Sequence, residues 1–455
     1  MTSVDTIFAR ASGAGRAGVC VYRVCGPAAF EIAQRLTGKK LPIREAKLVN
    51  INCPDTEQLV DRGLVILFKG PGSFTGEDTA EIQLHGSVAV ETALLAALTK
   101  TGARPAEAGE FTKRALLNGK MDLAQVEALS DLIDSETDEQ RKQALGQLDG
   151  RLSAVAEAWR AHLLAILAPL EADVDFPDED AVPAAVAMRA GPQIDALIAE
   201  LKTYRSASSA ARAIRVGVKV AIMGRANAGK SSLVNALTGT DAAIVSAQPG
   251  TTRDVIEVRL DIDGVPVIVA DTAGLRDQST DEVELEGMRR AVHRAQAADI
   301  RIMVIDPLTD GFKFDLSAAP GGQTMRPGDF IVWSKSDLVE AGSDLKNGRV
   351  INGMANFQLS AKTGDGLDRL LSALSAHIAE LVDQLPDGPL TRARHVAAVE
   401  TAIDGLTRAR EMVAQNAELA AEDVRLAVRA LGGITGAVDV EEVLGEIFSS
   451  FCIGK

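Results

Sequence analysis

The sequence predicts a multidomain α/β chain: an N-terminal α/β domain, then a discontinuous all-α domain interrupted by a doubly wound α/β insertion. Three observations predict it. From Val216 to Leu381 apolar strands alternate with helical patterns, the signature of a sheet covered on both faces. From Asp122, and again from Val396, apolar residues recur at spacings of three and four, as on helices that pack together. Before Asp122, short β-branched runs mix with helical patterns. The boundaries expected are 1–120, 121–214, 215–382 and 383–455, the second and fourth segments forming one helical domain.

Composition narrows the class. The 455 residues carry a formal net charge of −15, with 46% hydrophobic and 24% charged residues. That balance is ordinary for a soluble protein and disfavours non-specific adhesion to nucleic acid or anionic membrane. Of the four cysteines (Cys20, Cys25, Cys53 and Cys452), none forms a C-x-x-C pair, which points to reduced thiols. Met1–Phe8 lacks the basic-then-apolar order of a secretory leader. No apolar run approaches the roughly 18–20 residues that span a bilayer. A cytoplasmic chain with no membrane partner is expected.

Taken in order, Gly18–Val24, Leu64–Phe68 and Ala80–His85 read as strands and Val88–Leu98 as an amphipathic helix. Between them lie two polar, glycine-bearing loops, Gly70-Pro-Gly-Ser-Phe-Thr-Gly-Glu-Asp78 and Gly109-Glu-Phe-Thr-Lys-Arg114. Loops this rich in functional side chains suggest a binding site, without naming its ligand. Leu145, Leu148, Leu152, Val155, Trp159, Leu163, Ile166 and Leu170 then form one apolar stripe along a long helix, with Pro169 near its end. Asp173–Pro183 reads as a turn and Ile194–Tyr204 as helix; helical periodicity returns after the linker Gln384–Leu390.

The insertion carries the sharpest motif. The apolar strand Val216–Met223 runs into Gly224-Arg-Ala-Asn-Ala-Gly-Lys-Ser231 and then a helix. Strand, G-x-x-x-x-G-K-S and helix together make a phosphate cradle, with backbone N–H groups and a helix N-terminus facing the anion. Lys230 is placed for the β- and γ-phosphates and the Ser231 hydroxyl for Mg²⁺. Gly250-Thr-Thr-Arg-Asp254 follows as a switch loop whose threonine closes over Mg²⁺. Next, Val265–Ala270 leads into Asp271-Thr-Ala-Gly274, which puts Asp271 near Mg²⁺ and the Gly274 N–H near the γ-phosphate. Ser334-Lys-Ser-Asp337 offers Asp337 to the edge N–H groups of guanine, and Leu359-Ser-Ala-Lys362 backs the ring.

The ligand of these five elements is GTP. Its contacts are expected from Asn227, Ala228, Gly229, Lys230, Ser231 and Ser232; from Ser246, Ala247, Gln248, Pro249, Gly250, Thr251 and Thr252; from Asp271, Thr272, Ala273 and Gly274; from Ser334, Lys335 and Asp337; and from Ser360, Ala361 and Lys362. The base-reading element usually begins with Asn, so Ser334 is expected to weaken base affinity or loosen the phosphate loop. Where Ras-like enzymes carry a water-orienting glutamine this chain has Leu275. Asn227 with Ser246–Thr251 is suited to hold a monovalent cation against the phosphates. Asp281-Glu-Val-Glu284 supplies carboxylates for water, or equally a solvated helix start.

End to end the chain resembles the MnmE (TrmE) family of tRNA-modification GTPases. Asp5-Thr-Ile7, Gly72–Asp78, Gly109–Arg114, Asn118-Gly-Lys-Met-Asp122 and the terminal Cys452-Ile-Gly-Lys455 carry the likeness, beside the GTPase elements. The resemblance implies an N-terminal dimerisation domain that binds a formyl-tetrahydrofolate, a discontinuous helical domain and an inserted Ras-like, K⁺-activated G domain. It also implies a hetero-oligomer with the flavoprotein MnmG. Together the two proteins build a 5-carboxymethylaminomethyl or aminomethyl group on the wobble uridine of tRNA, which is met largely through that partner. By the same resemblance Asn227, Ser246, Gln248 and Thr251 ligate K⁺, Ser231 and Thr252 ligate Mg²⁺, and Glu284 is the general base acting through waters. Arg23, Glu81, Lys120 and Lys455 line the folate pocket, with Cys452 beside them. Cys452 fits a prenylation signal poorly, since Gly454 and Lys455 follow it. A buried inert thiol and a catalytic one both remain open for it. Ala226, Ser87 and Ser334 depart from the family pattern. The competing readings are an Era-type ribosome-assembly switch, which would need a basic RNA-binding flank, and a one-carbon transferase with a regulatory GTPase.

Overall fold

Elements are assigned over the residues that the computed structural model describes: 5–175, 182–244, 257–271, 293–311, 324–339, 350–351, 353–383 and 385–437, with 448, 451 and 454. The chain divides into two compact units, 1–130 with 147–195 and 401–455, and 131–146 with 196–400.

In the first unit, alternation writes the sheet. Strands β1 (Ile7–Arg10), β2 (Ala17–Cys25), β3 (Lys47–Asn52), β4 (Leu59–Phe68), β5 (Thr79–Gly86) and β6 (Arg104–Pro105) lie in the order β3-β4-β5-β2-β1-β6. All neighbours are antiparallel except β1 and β6. Cys20, Tyr22 and Val24 of β2 and Ile82 and Leu84 of β5 share one buried face with residues of helices α1 (Ala29–Thr37) and α2 (Val88–Lys100). Successive strand residues point to opposite faces, so Arg23 and Glu81 turn the other way. Helix α1 stops at Gly38, whose φ of 66° lets its N–H close on the Gln34 carbonyl. Ser87 is the N-cap of α2, its hydroxyl accepting the Val90 N–H at 3.2 Å. The three expected strands and the helix are present; β1, β3 and β6 were too short or too mixed to read.

The helices that follow are α3 (Glu110–Leu117), α4 (Leu123–Ile133), α5 (Asp138–Leu148), α6 (Arg151–Asp175) and α7 (Val182–Val216). The single long helix expected through Leu145–Leu170 is two. Gly150, with φ +89°, lets its N–H return to the Gln147 carbonyl, and the chain restarts as α6. Pro169 lies inside α6, which continues to Asp175. The expected turn Asp173–Pro183 is helical where described, 173–175 ending α6 and 182–183 opening α7, while 176–181 lie outside the described residues; Ile194–Tyr204 is the middle of the 35-residue α7. In the first unit α6 packs along the last described helix, Ala417–Thr435. The pairing accompanies full burial of Trp159, Leu163 and Leu170 on one side and of Val424 and Ala427 on the other.

The second unit is built on a seven-stranded sheet. Its strands are β7 (Val218–Met223), β8 (Glu257–Ile262), β9 (Val265–Asp271), β10 (Ile300–Ile305), β11 (Phe330–Trp333), β12 (Val350–Ile351) and β13 (Met354–Gln358). The order is β12-β13-β11-β10-β7-β9-β8, parallel through β13, β11, β10, β7 and β9, with antiparallel edges. Such central strands are buried on both sides, and β10 and β11 are buried at every position. Helices α8 (Lys230–Thr238), α9 (Pro307–Asp310) and α10 (Leu367–Val382) follow strands of this sheet, and α11 (Ala393–Met412) and α12 (Ala417–Thr435) complete the labels. No helix among the described residues is long and apolar enough to cross a membrane.

Candidate functional site

Five segments leave the carboxyl ends of parallel strands along one edge of the seven-stranded sheet, where ligands of such sheets bind. They begin at Gly224 after β7, Asp271 at the end of β9, Asp306 after β10, Ser334 after β11 and Leu359 after β13. Ile222 pairs with Asp271, so the end of β9 is level with the start of the Gly224–Ser231 loop.

That loop is fixed by backbone geometry. At Gly224, with φ +139°, a Cβ would lie 2.2 Å from the Val304 carbonyl oxygen; no other residue fits. Asn227 is left-handed at φ +61°, a conformation Asn tolerates. The Ala228 N–H returns to the Arg225 carbonyl at 3.3 Å, and Gly229 (φ +99°) opens α8 as its N-cap. Lys230 is 7% exposed, and its ammonium donates to the carbonyls of Gly224 (3.0 Å) and Arg225 (2.7 Å). A buried cation beside a helix N-terminus fits a polyphosphate.

Ser334 answers the doubt about the loop. Its hydroxyl donates to the Ala228 carbonyl at 2.5 Å and approaches the Ile305 carbonyl at 3.2 Å, and the residue is 5% exposed. The phosphate loop is therefore tied to the base-reading segment through Ser334. Asp337 accepts the Ser360 hydroxyl at 2.7 Å, and Ser336 donates its N–H to the Leu359 carbonyl. Gly366 (φ +83°) seals this corner, since a Cβ there would meet the Gln358 carbonyl at 2.0 Å. Ala361 and Lys362 occupy the same turn.

Asp306 was missed from the sequence. It caps α9 and accepts the Lys335 ammonium at 2.7 Å, while Arg225 pairs with Asp310 at 2.9 Å. Burial pushes the Asp306 carboxyl up, but Lys335, the Leu308 N–H and Thr309 outweigh it and hold it below the usual carboxylate range. The segment 306–310 thus joins the phosphate loop to the base-reading segment. An Asp-Pro pair straight after an apolar strand was the available signal. Ser231 and Ser232 lie in the first turn of α8. Ser246, Ala247, Gln248, Pro249, Gly250, Thr251, Thr252, Thr272, Ala273, Gly274 and Glu284 lie outside the described residues, as do Cys452 and Lys455.

A second cluster occupies the outward face of the six-stranded sheet. Arg23 and Glu81 are directly opposite across β2 and β5, and the guanidinium Nη2 lies 2.9 Å from the carboxylate. The same guanidinium sits 5.1 Å from the Phe74 ring centre and 5.5 Å from that of Phe111. Lys120 donates to the Pro71 carbonyl at 3.0 Å, and a Cβ on Gly76 would lie 3.3 Å from Lys120 Cγ. Beneath, Arg114, 5% exposed, binds Glu77, Glu110 and both the carboxylate and the carbonyl of Asp5. This hub fixes the loop 70–78 through Glu77. The chain's end comes to the same unit. Phe448 and Phe451 pack with Val126, Leu116 and Met121, and Gly454 lies against the Arg10 carbonyl.

Comparison with known proteins agrees over the whole length. Residues 6–120 match the family described as the GTP-binding protein TrmE N-terminus, and residues 123–452 the MnmE helical domain. The tRNA modification GTPase MnmE of Parvibaculum lavamentivorans is 47% identical over 456 residues, covering 99% of this chain and 100% of that one. The MnmE of Granulibacter bethesdensis is 46% identical, with 100% of each chain covered, and that of Maricaulis maris 44%, with 99% of each.

Proposed function

The chain belongs to the MnmE family of tRNA modification GTPases, and from that premise we propose a K⁺-activated GTPase working with an MnmG-type flavoprotein. Its product is the 5-carboxymethylaminomethyl or aminomethyl group on tRNA wobble uridine, with a formyl-tetrahydrofolate as one-carbon donor. The observation that carries the reading is the common anchoring of phosphate loop and base-reading segment, with Ser334 bonded to Ala228 and Ser360 to Asp337.

In this reading Lys230 neutralises the β- and γ-phosphates while the N–H groups from Gly229 onward orient them. Asp337, held by Ser360, accepts the guanine edge. Ser231 and Thr252 hold Mg²⁺, and Asn227, Ser246, Gln248 and Thr251 hold K⁺; the collapsed turn at Asn227 and the buried helix start at Lys230 fit such a cradle. The two ions supply the positive charge that an arginine finger supplies elsewhere. Glu284 positions water in place of the glutamine that Leu275 replaces. At the second cluster Glu81, steadied by Arg23 at 2.9 Å, accepts pterin donors, Lys120 and Lys455 face the acidic tail, and Cys452 completes the pocket. Phe74, half-buried beside the Arg23 guanidinium, suits a flat heterocycle, whereas Phe111 is fully buried. A homodimer through the N-terminal domain, and tRNA bound largely through the partner, complete the assembly, in a cytoplasmic setting.

Deletion and complementation test the whole. A strain lacking the chain should lose the wobble modification, regain it with the wild type, and fail to regain it with Lys230→Ala. Intact modification in the deletion strain would overturn the proposal, and a ribosome-assembly defect alone would favour an Era-type switch.

A further inference from the structure

The structure assigns Ser334 a positioning task beyond the base-reading segment: it sets Asn227 and so tunes the monovalent-cation requirement of the GTPase. The inference rests on the K⁺ reading above. A hydroxyl has one proton to donate. Of its two acceptors, the Ala228 carbonyl is nearer, at 2.5 Å against 3.2 Å for Ile305. Ala228 is 2% exposed, so without this proton its carbonyl would face a largely apolar interior. Ser334 also packs under Gly229, where an added Cβ would lie 3.3 Å from its own Cβ.

Asn227 is the residue this arrangement fixes. Its backbone is left-handed at φ +61° and is held on one side by the Ala228 N–H bond to the Arg225 carbonyl. On the other side the Ser334 hydroxyl holds the Ala228 carbonyl. Loss of the hydroxyl frees the Ala228–Gly229 peptide, which borders the Asn227 turn, and lets the Asn227 amide drift. A neutral oxygen binds a monovalent cation weakly and only at the right distance, so drift costs cation affinity first. Base recognition has a separate anchor, the Ser360 bond to Asp337 at 2.7 Å. The two functions of the segment Ser334–Asp337 are thereby separable.

The test titrates KCl against NaCl at constant ionic strength and follows GTP hydrolysis by the full chain, with GDP affinity measured beside it. Ser334→Ala should raise the K⁺ concentration for half-activation about fivefold, a shift equal to about 1 kcal/mol. This shift should exceed any loss of GDP affinity, and Ser334→Thr should restore the wild-type value. If Ser334→Ala fails to fold, Ser334→Cys, similar in size and a weaker donor, should give an intermediate shift. Unchanged half-activation, or a loss confined to GDP affinity, in a wild-type background that still prefers K⁺ would overturn this inference alone. Equal wild-type rates in both salts would overturn the K⁺ reading and this inference with it.

Discussion

Arg23 and Glu81 stand opposite each other on adjacent antiparallel strands, joined at 2.9 Å, with the guanidinium stacked near Phe74 and Phe111. A carboxylate held this way through one oxygen keeps its second oxygen in a fixed direction. If it receives the donors of a pterin edge, removing it strands those donors. Glu81→Ala should weaken formyl-tetrahydrofolate binding at least tenfold, about 1.4 kcal/mol, with GTP hydrolysis near wild type. Calorimetry decides: unchanged affinity would remove Glu81 from the pocket.

The cation carries the second prediction. Leu275 lacks a polar group to orient water, and Asn227 is held in a left-handed turn three residues before Lys230. Hydrolysis should rise by roughly tenfold or more from Na⁺ to K⁺ at matched ionic strength, the scale of charge stabilisation by one preorganised group. Asn227→Ala should erase most of that rise while nucleotide binding persists. A variant that keeps the full K⁺ stimulation would take Asn227 out of the cation site.

What could be read in advance follows chain continuity. The phosphate loop was legible because Gly224–Ser231 carries its chemistry in eight consecutive residues between a strand and a helix. The base-reading turn was legible for the same reason. Asp306 was not, because its importance lies in Lys335, twenty-nine residues on and one strand over. Nor was the Arg114 hub, which gathers Asp5, Glu77 and Glu110 from three separate segments. Arg23 and Glu81 came from resemblance alone, and their pairing went unseen, since strand register is invisible in an unaligned sequence. The break at Gly150 was hidden by an apolar stripe that continues in phase across it.

Glu110 gives a pH dependence. It is 8% exposed and accepts from Arg104, Arg114 and the Glu107 N–H. Burial pushes its carboxyl up, but these bonds outweigh burial and leave it below the ordinary 4.5. A depressed carboxyl contributes stability that is complete above its ordinary value and is lost as the pH falls below it. Glu110→Gln should cost roughly 3 kcal/mol at neutral pH, as for a broken buried ion pair, and the gap should narrow below about pH 4.5. Urea melts at pH 7 and pH 3.5 measure it; an equal gap at both would show that the carboxylate charge contributes nothing.

Gly454 tests the far end of the chain. Its φ of +107° already excludes most residues, and a Cβ would lie 1.8 Å from the Arg10 carbonyl oxygen and 3.3 Å from Ala11 Cα. The approach fixes the penultimate residue against the end of β1, in the unit that carries Arg23 and Glu81. Phe448 and Phe451, 5.8 Å apart, anchor the segment just before it, and Phe448 also fills the space where Gly109 lacks a Cβ. Placing a methyl at 454 must therefore lift the tail, whereas the G domain has no stake in the contact. Gly454→Ala should abolish wobble modification in a deletion strain and lower folate affinity at least tenfold, about 1.4 kcal/mol. K⁺-stimulated GTP hydrolysis should stay within about twofold of wild type, a difference of about 0.4 kcal/mol. Gly433→Ala is the control, since an added Cβ there meets nothing within 4 Å. Normal modification by Gly454→Ala would show that the seat of the tail on β1 is dispensable for the chemistry.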